Sequence, residues 1–153
     1  MDRMCQYFYI TGGDPILHPD FWKLMVLLKS KEIPFTLMGN PFHLNDEICR
    51  MFKVCGCEKY QMSLDGMQKT HDWFRKPGSF DLTLEKVGCL NRAGIKSVIM
   101  STVSKTNMDE DLKHSLLLLE ALSLFRFFQM HHPASRYFQN YHNPYHLNQK
   151  QSA

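Results

Sequence analysis

Residues 6–38 read QYFYITGGDPILHPDFWKLMVLLKSKEIPFTLM, and the order of patterns in this stretch decides the fold. Residues 6–10 (QYFYI) are aromatic and β-branched and stop at the pair Gly12-Gly13, as a strand does. Pro19 suits the first position of a helix, and Asp20 its positive N-terminal end. Phe21, Trp22, Leu24, Met25, Leu27 and Leu28 then give a wide apolar face up to about Glu32. Residues 35–38 (FTLM) predict a second strand, stopped by Gly39-Asn40-Pro41. Strand, helix and strand in 33 residues form the repeating unit of a parallel sheet.

The same pattern continues downstream. Asn45 is placed as an N-cap, Asp46 and Glu47 suit a first turn, and Ile48, Met51, Phe52 and Cys55 recur at helical spacing. Gly56 is placed to end that helix. Residues 60–64 (YQMSL) predict a third strand. Ser79 is the expected cap of a helix whose core stripe is Phe80, Leu84, Val87 and Leu90, with Gly94 as its stop. Residues 97–103 (SVIMSTV) predict a fourth strand, residues 109–123 a helix, and residues 125–130 (FRFFQM) a fifth strand. This alternation predicts an α/β fold, a parallel sheet with helices packed on its faces. Periodicity leaves open whether the sheet is doubly wound or closes as a barrel; ligands bind at the C-terminal strand ends in both.

Residues 1–130 are expected to form one unit. Residues 131–153 hold four of the eight histidines and no apolar periodicity, which predicts a polar, poorly ordered tail. A length of 153 residues, 44% hydrophobic and 22% charged, excludes disorder for the chain as a whole. The apolar runs at 24–28 and 116–119 are too short to span a membrane, and residues 1–7 lack the regions of an export signal. A net charge of +3 is too mild to argue for nucleic acid, and all 15 acidic residues lie at or before Glu120. Five irregularly spaced cysteines make no disulfide framework. The expectation is a cytoplasmic protein with reduced thiols and neither a membrane nor a nucleic-acid partner. The ten methionines read as gap-fillers of a core.

Chemistry is to be sought in the turns after the strands. Thr11-Gly12-Gly13-Asp14-Pro15 follows the first strand. Paired glycines let a ligand approach the backbone, and Asp14 beside them suits an ammonium group. The competing reading is a tight turn with Asp14 as a local Asx-type acceptor. After the third strand come Ser63-Leu64-Asp65-Gly66, then His71, Asp72 and Arg75. Alternation puts Ser63 and Asp65 on one face of their strand. A hydroxyl and a guanidinium together suit a carboxylate; the competing reading is a surface loop with Asp72 and Arg75 as an exposed i, i+3 ion pair. A hydrolase triad of Ser63, His71 and Asp65 is disfavoured, because there is no Gly-x-Ser-x-Gly elbow. The absence of Gly-x-Gly-x-x-Gly and Gly-x4-Gly-Lys-Ser/Thr disfavours a flavodoxin-like or other open nucleotide-binding sheet.

Taken in order, TGGDPILHPDFW, the MGN that closes the second strand, SLDG…THDWFRKPGSF and the STV…N strand resemble the radical S-adenosylmethionine superfamily over about residues 6–130. The resemblance is closest to the peptide-modifying branch, whose members often carry a C-terminal SPASM or twitch extension. It implies an incomplete (β/α)6 barrel with S-adenosylmethionine at its C-terminal mouth. Family members use a reduced [4Fe–4S] cluster to cleave that cofactor and abstract a hydrogen atom from the substrate. By the same resemblance, Gly12, Gly13 and Asp14 match the Gly-Gly-Glu turn that receives the methionine amino group, with Asp in place of Glu. Ser63 and Arg75 match the positions that hold the methionine carboxylate, Asp65 and Gly66 match the turn beside them near the ribose, and Thr102 lies in the strand expected under the adenosine.

The family's Cys-x3-Cys-x2-Cys loop stands upstream of the glycine turn, whereas here Met1 precedes Gly12 by eleven residues. Cys5, Cys49, Cys55, Cys57 and Cys89 show no iron–sulfur spacing and read as buried small residues. The histidines of the tail suit only adventitious metal binding. The expectation is part of a radical S-adenosylmethionine enzyme acting on a peptide, retaining the methionine-binding turns and lacking its own cluster ligands, with no catalytic residue identifiable. The alternative is a non-catalytic α/β binding module or truncated gene product. The sequence does not give the substrate.

Overall fold

A computed structural model describes residues 7–104, residue 107 and the strand at 125–130. Among these, β1 (Phe8–Ile10), β2 (Phe35–Met38), β3 (Cys57–Ser63), β4 (Lys96–Val103) and β5 (Phe125–Met130) form a parallel sheet. Their order in the sheet is β1-β2-β3-β4-β5. An open doubly wound sheet reverses its strand order at a switch point, and this one does not. The choice that periodicity left open therefore falls to the incomplete barrel, and a flavodoxin-like order is excluded.

Helices α1 (Phe21–Ser30), α2 (Asp46–Cys55), α3 (Gln68–Phe74) and α4 (Ser79–Arg92) lie between the strands, with short 3-10 turns at Pro15–Leu17 and Pro41–His43. Helix α1 packs on α2, and α2 and α3 on α4, giving one helical layer on one face of the sheet. The core between them joins Met25, Phe52, Val87 and Leu90 to Phe35, Leu37, Met62 and Ile99. The rings of Phe21 and Phe52 meet edge-on at 5.8 Å, and Phe52 stacks on Tyr60 at 6.0 Å. Strand alternation then turns Thr36, Met38, Gln61, Ser63, Met100 and Thr102 to the opposite face. That face is the inside of the partial barrel.

Several sequence expectations change in detail. On α1 the buried stripe narrows to Phe21, Met25 and Leu28, while Leu24 and Leu27 are exposed. Pro19 precedes the helix rather than opening it, while Asp20 stands at the N-cap, at the positive end as expected. Asn45 caps α2 as expected, its Oδ1 accepting from Ile48 N–H at 2.8 Å. The α2 stripe is rotated, with Cys49, Phe52 and Cys55 buried and Met51 exposed. Strand β3 begins at Cys57 rather than residue 60. Ser79 does not cap α4: Gly78 holds the cap position and Asp72 supplies the capping oxygens, as described below. The expected helix at 109–123, the tail at 131–153 and Cys5 lie outside the described residues. No described helix is long and apolar enough to cross a membrane.

Candidate functional site

The C-terminal ends of β1 to β4 enclose a cavity of about 270 Å³. It brings together Gly13 from the turn after β1, Ser63 at the end of β3, Arg75 beyond α3, and Thr102 on β4. Met38, Gly39 and Asn40 line it from the end of β2. Thr11 Oγ1 donates to Met38 Sδ at 3.3 Å, tying the first two turns together. Four of the seven residues expected in the site thus line one opening, although Arg75 stands 62 positions after Gly13.

The remaining three adjoin it. Gly12 and Gly13 have φ values of 113° and 52°, a region that L side chains rarely adopt, so the turn requires glycine for its backbone path. A Cβ at either position would meet nothing within 4 Å, so the backbone there is open to approach. Asp14, next in the turn, makes no side-chain cap hydrogen bond to the 3-10 turn that follows. Its side chain is 3% exposed, and both carboxylate oxygens are buried with no hydrogen-bond partner among the described residues. His43 Nε2 lies 3.8 Å from Asp14 Oδ2. The local Asx-type reading of Asp14 therefore fails, and a buried carboxylate is left with both acceptors unmet.

Gly39 explains how close this packing is. A Cβ there would lie 2.5 Å from Tyr60 Oη and 2.9 Å from Asp14 Oδ1. Tyr60 Oη donates to Asn40 O at 3.1 Å, and burial, with the charge of Asp14 beside it, pushes the phenol pKa upward. Gly39 and Tyr60 were not among the candidates. MGN stood out in the sequence as a strand end, but nothing local reveals that a tyrosine on the next strand fills the space above its glycine.

Asp65 sits behind Arg75. Its Oδ2 accepts from Arg75 Nε at 2.6 Å and its Oδ1 from Thr102 N–H at 2.9 Å. Its carbonyl accepts from Asn107 Nδ2 at 2.6 Å, and the same amide group donates to Thr102 O at 2.7 Å. The Asp72–Arg75 surface pair is therefore replaced by an Asp65–Arg75 pair, 2% and 43% exposed. Asp72 instead caps α4, accepting from Gly78 N–H at 2.7 Å, Phe80 N–H at 2.8 Å and Ser79 Oγ at 3.2 Å. These bonds, that from Phe80 first, hold its carboxyl below the usual range. His71 is buried on α3, where its Nδ1 accepts from Asp65 N–H at 3.1 Å. Burial pushes its pKa down, so it is a neutral acceptor for the backbone and forms no triad with Ser63.

Comparison with known proteins agrees with this arrangement. The model of the radical SAM superfamily matches residues 1–119. An AdoMet-dependent heme synthase of Methanosarcina barkeri is 32% identical over 106 residues, 68% of this chain and 30% of that protein. The mycofactocin maturase MftC of Mycobacterium ulcerans is 30% identical over 106 residues, 67% of this chain and 28% of its own. The chain thus spans less than a third of the length of these relatives. Among solved structures, SuiB of Streptococcus suis superposes with a TM-score of 0.65 at 17% identity, over 86% of this chain and 31% of SuiB. SuiB has been solved bound to S-adenosylmethionine and bound to the precursor peptide SuiA. With the family model spanning most of its length and the same sheet beneath it, this chain belongs to the radical SAM superfamily, whose members bind S-adenosylmethionine and a [4Fe–4S] cluster.

Proposed function

We propose that the cavity at the strand ends binds the methionine end of S-adenosylmethionine, and that the chain serves a radical SAM enzyme that modifies a peptide. One observation carries the cofactor reading: Asp14 holds a buried carboxylate with no hydrogen-bond partner among the described residues, and it follows Gly13, which lines the cavity together with Arg75. Burying a polar group without a hydrogen bond costs about 2–7 kcal/mol, and His43 Nε2 at 3.8 Å is too far to supply one, so a cationic ligand group is favoured there. In this reading Asp14 takes the ammonium, with the backbone of Gly12 and Gly13 beside it. Ser63 and Arg75 hold the carboxylate. Asp65 braces the turn, and Thr102 presents the strand beneath the adenosine. Cleaved reductively, S-adenosylmethionine supplies hydrogen-atom abstraction; these residues bind and orient it.

The cluster is a different matter. Among the described residues no group of three Cys, His, Asp or Glu side chains is placed to hold a metal ion. No step is therefore assigned to these residues through iron. A cytosolic setting belongs to the same proposal, supported by Cys49, Cys55, Cys57 and Cys89, which are free and buried.

A peptide substrate is supported by the likeness to MftC and to SuiB, the latter solved with its precursor peptide. The likeness to the heme synthase favours a second reading, a tetrapyrrole substrate. Titration of the chain with an iron tetrapyrrole separates the two: a shifted Soret band would favour the second, an unchanged one the first. The cofactor reading is tested by saturation-transfer NMR with S-adenosylmethionine. The chain is expected to bind it, and Asp14→Asn to weaken it about tenfold or more, as loss of a charge-assisted bond does. Wild-type chain that leaves the ligand signals unsaturated would end the proposal.

A further inference from the structure

We propose that Asp65 is the positioning residue of this site, orienting the Arg75 guanidinium for a ligand carboxylate without touching the ligand itself. The inference rests on the cofactor reading above and goes beyond it by assigning a different task to a residue first expected near the ribose. Asp65 engages the guanidinium sideways, through Nε at 2.6 Å. Arg92 shows the contrasting geometry, giving both Nε and an Nη to Asp46 at 3.0 and 2.8 Å. The two terminal nitrogens of Arg75 have no hydrogen-bond partner among the described residues, and Arg75 lines the cavity. Guanidinium is planar with donors on fixed edges, so occupying Nε turns the two Nη groups outward as a fork. Such a fork matches a carboxylate in two-pronged fashion.

Asp65 is itself immobilised. Its N–H, carbonyl and both carboxylate oxygens all have partners, on α3, Asn107, Arg75 and β4. With its side chain 2% exposed, the carboxylate is closed to ligand hydroxyls. A lysine at position 75 has three donors on one nitrogen and no planar edge, so it could not hold Asp65 and still offer a ligand carboxylate a two-pronged contact. The pair therefore reads a carboxylate through the two-pronged edge that only an arginine supplies.

The test compares two ligands on the full chain, S-adenosylmethionine and its decarboxylated analogue, which keeps the amine, sulfonium and adenosine. Dissociation constants are read by ligand-observed NMR. Asp65→Asn keeps an acceptor for Thr102 N–H but loses the charge on Arg75. It is expected to weaken S-adenosylmethionine about tenfold or more and to leave the analogue within about twofold. Arg75→Lys is expected to behave the same way, and it serves should Asp65→Asn lose the circular-dichroism signal of the folded chain. Adding Asp65→Asn to Arg75→Gln is expected to weaken neither ligand further, since both changes remove one coupled contact. Equal weakening of the two ligands by Asp65→Asn would make Asp65 merely structural and overturn the proposal. So would undiminished preference for S-adenosylmethionine in either single variant. Wild-type chain that binds neither ligand would instead overturn the cofactor reading, a distinct outcome.

Discussion

At Gly39 the space that a side chain would need is already taken. A methyl group there would meet Tyr60 Oη at 2.5 Å and Asp14 Oδ1 at 2.9 Å, both held in place by packing. Gly39→Ala is expected to cost about 1–3 kcal/mol in urea unfolding, the range for forcing an extra carbon into a filled site. Adding Tyr60→Phe removes the nearest atom and leaves the ring carbon at 3.4 Å, so the double variant should recover part of the loss. A double variant no more stable than Gly39→Ala alone would show that the tyrosine hydroxyl is not what excludes the methyl. At this scale the sequence was informative wherever a turn followed a strand: Gly13, Ser63 and Arg75 were found because ligands collect at strand ends. It was uninformative wherever a partner lay across the fold. Arg75 had an acid three residues before it and one ten residues before it, and spacing alone favoured the nearer, Asp72. The fold gave Arg75 to Asp65 because Asp72 is held by the N–H groups of Gly78 and Phe80.

Among the elements, β2 and β5 were legible to the residue, since FTLM and FRFFQM are short apolar runs with clear borders. Helix α3 was not. QKTHDWF carries no stripe at helical spacing, and His71 is its one buried residue, so the helix is fixed by contacts rather than by pattern. Those contacts titrate. Burial lowers the pKa of His71 from its ordinary 6.5, so between that value and the folded one the unfolded chain binds the extra proton. Stability then rises with pH across this window and falls as pH drops below 6.5. Asp72 acts lower: its carboxyl, held down by Phe80 N–H first, contributes stability above the ordinary 3.8 that is lost as pH falls through the folded value. His71→Asn keeps an acceptor for Asp65 N–H and cannot charge. Its unfolding free energy is expected to be flat where the wild type begins to fall, while the lower Asp72 limb remains. A variant with the same slope as wild type just below pH 6.5 would show that another group carries the effect.

For the molecule as a whole, composition and alternation were enough for a parallel α/β sheet, but only the strand order separated a partial barrel from an open sheet. Order depends on which strands pair, and pairing is a long-range choice that no window of sequence contains. The same long-range arrangement bears on the thiols. Cys49 and Cys55 lie on α2 and Cys89 on α4, in the helical layer, and Cys57 opens β3 at the end opposite Ser63. With a rise near 3.3 Å per residue, β3 sets Cys57 about 20 Å from the cavity end. Burial also pushes the thiol of Cys57 up to about 12 and that of Cys49 up to about 11, whereas cluster ligands are thiolates. All four cysteines are therefore misplaced for holding iron beside the cofactor, and burial also disfavours the thiolates of Cys49, Cys55 and Cys57. Anaerobic reconstitution of the 153-residue chain with iron and sulfide is accordingly expected to give no stoichiometric [4Fe–4S] absorbance or EPR signal. A cluster that formed in the chain and disappeared on changing Cys49, Cys55 or Cys89 to serine would contradict this placement, because it would require the helical layer to open.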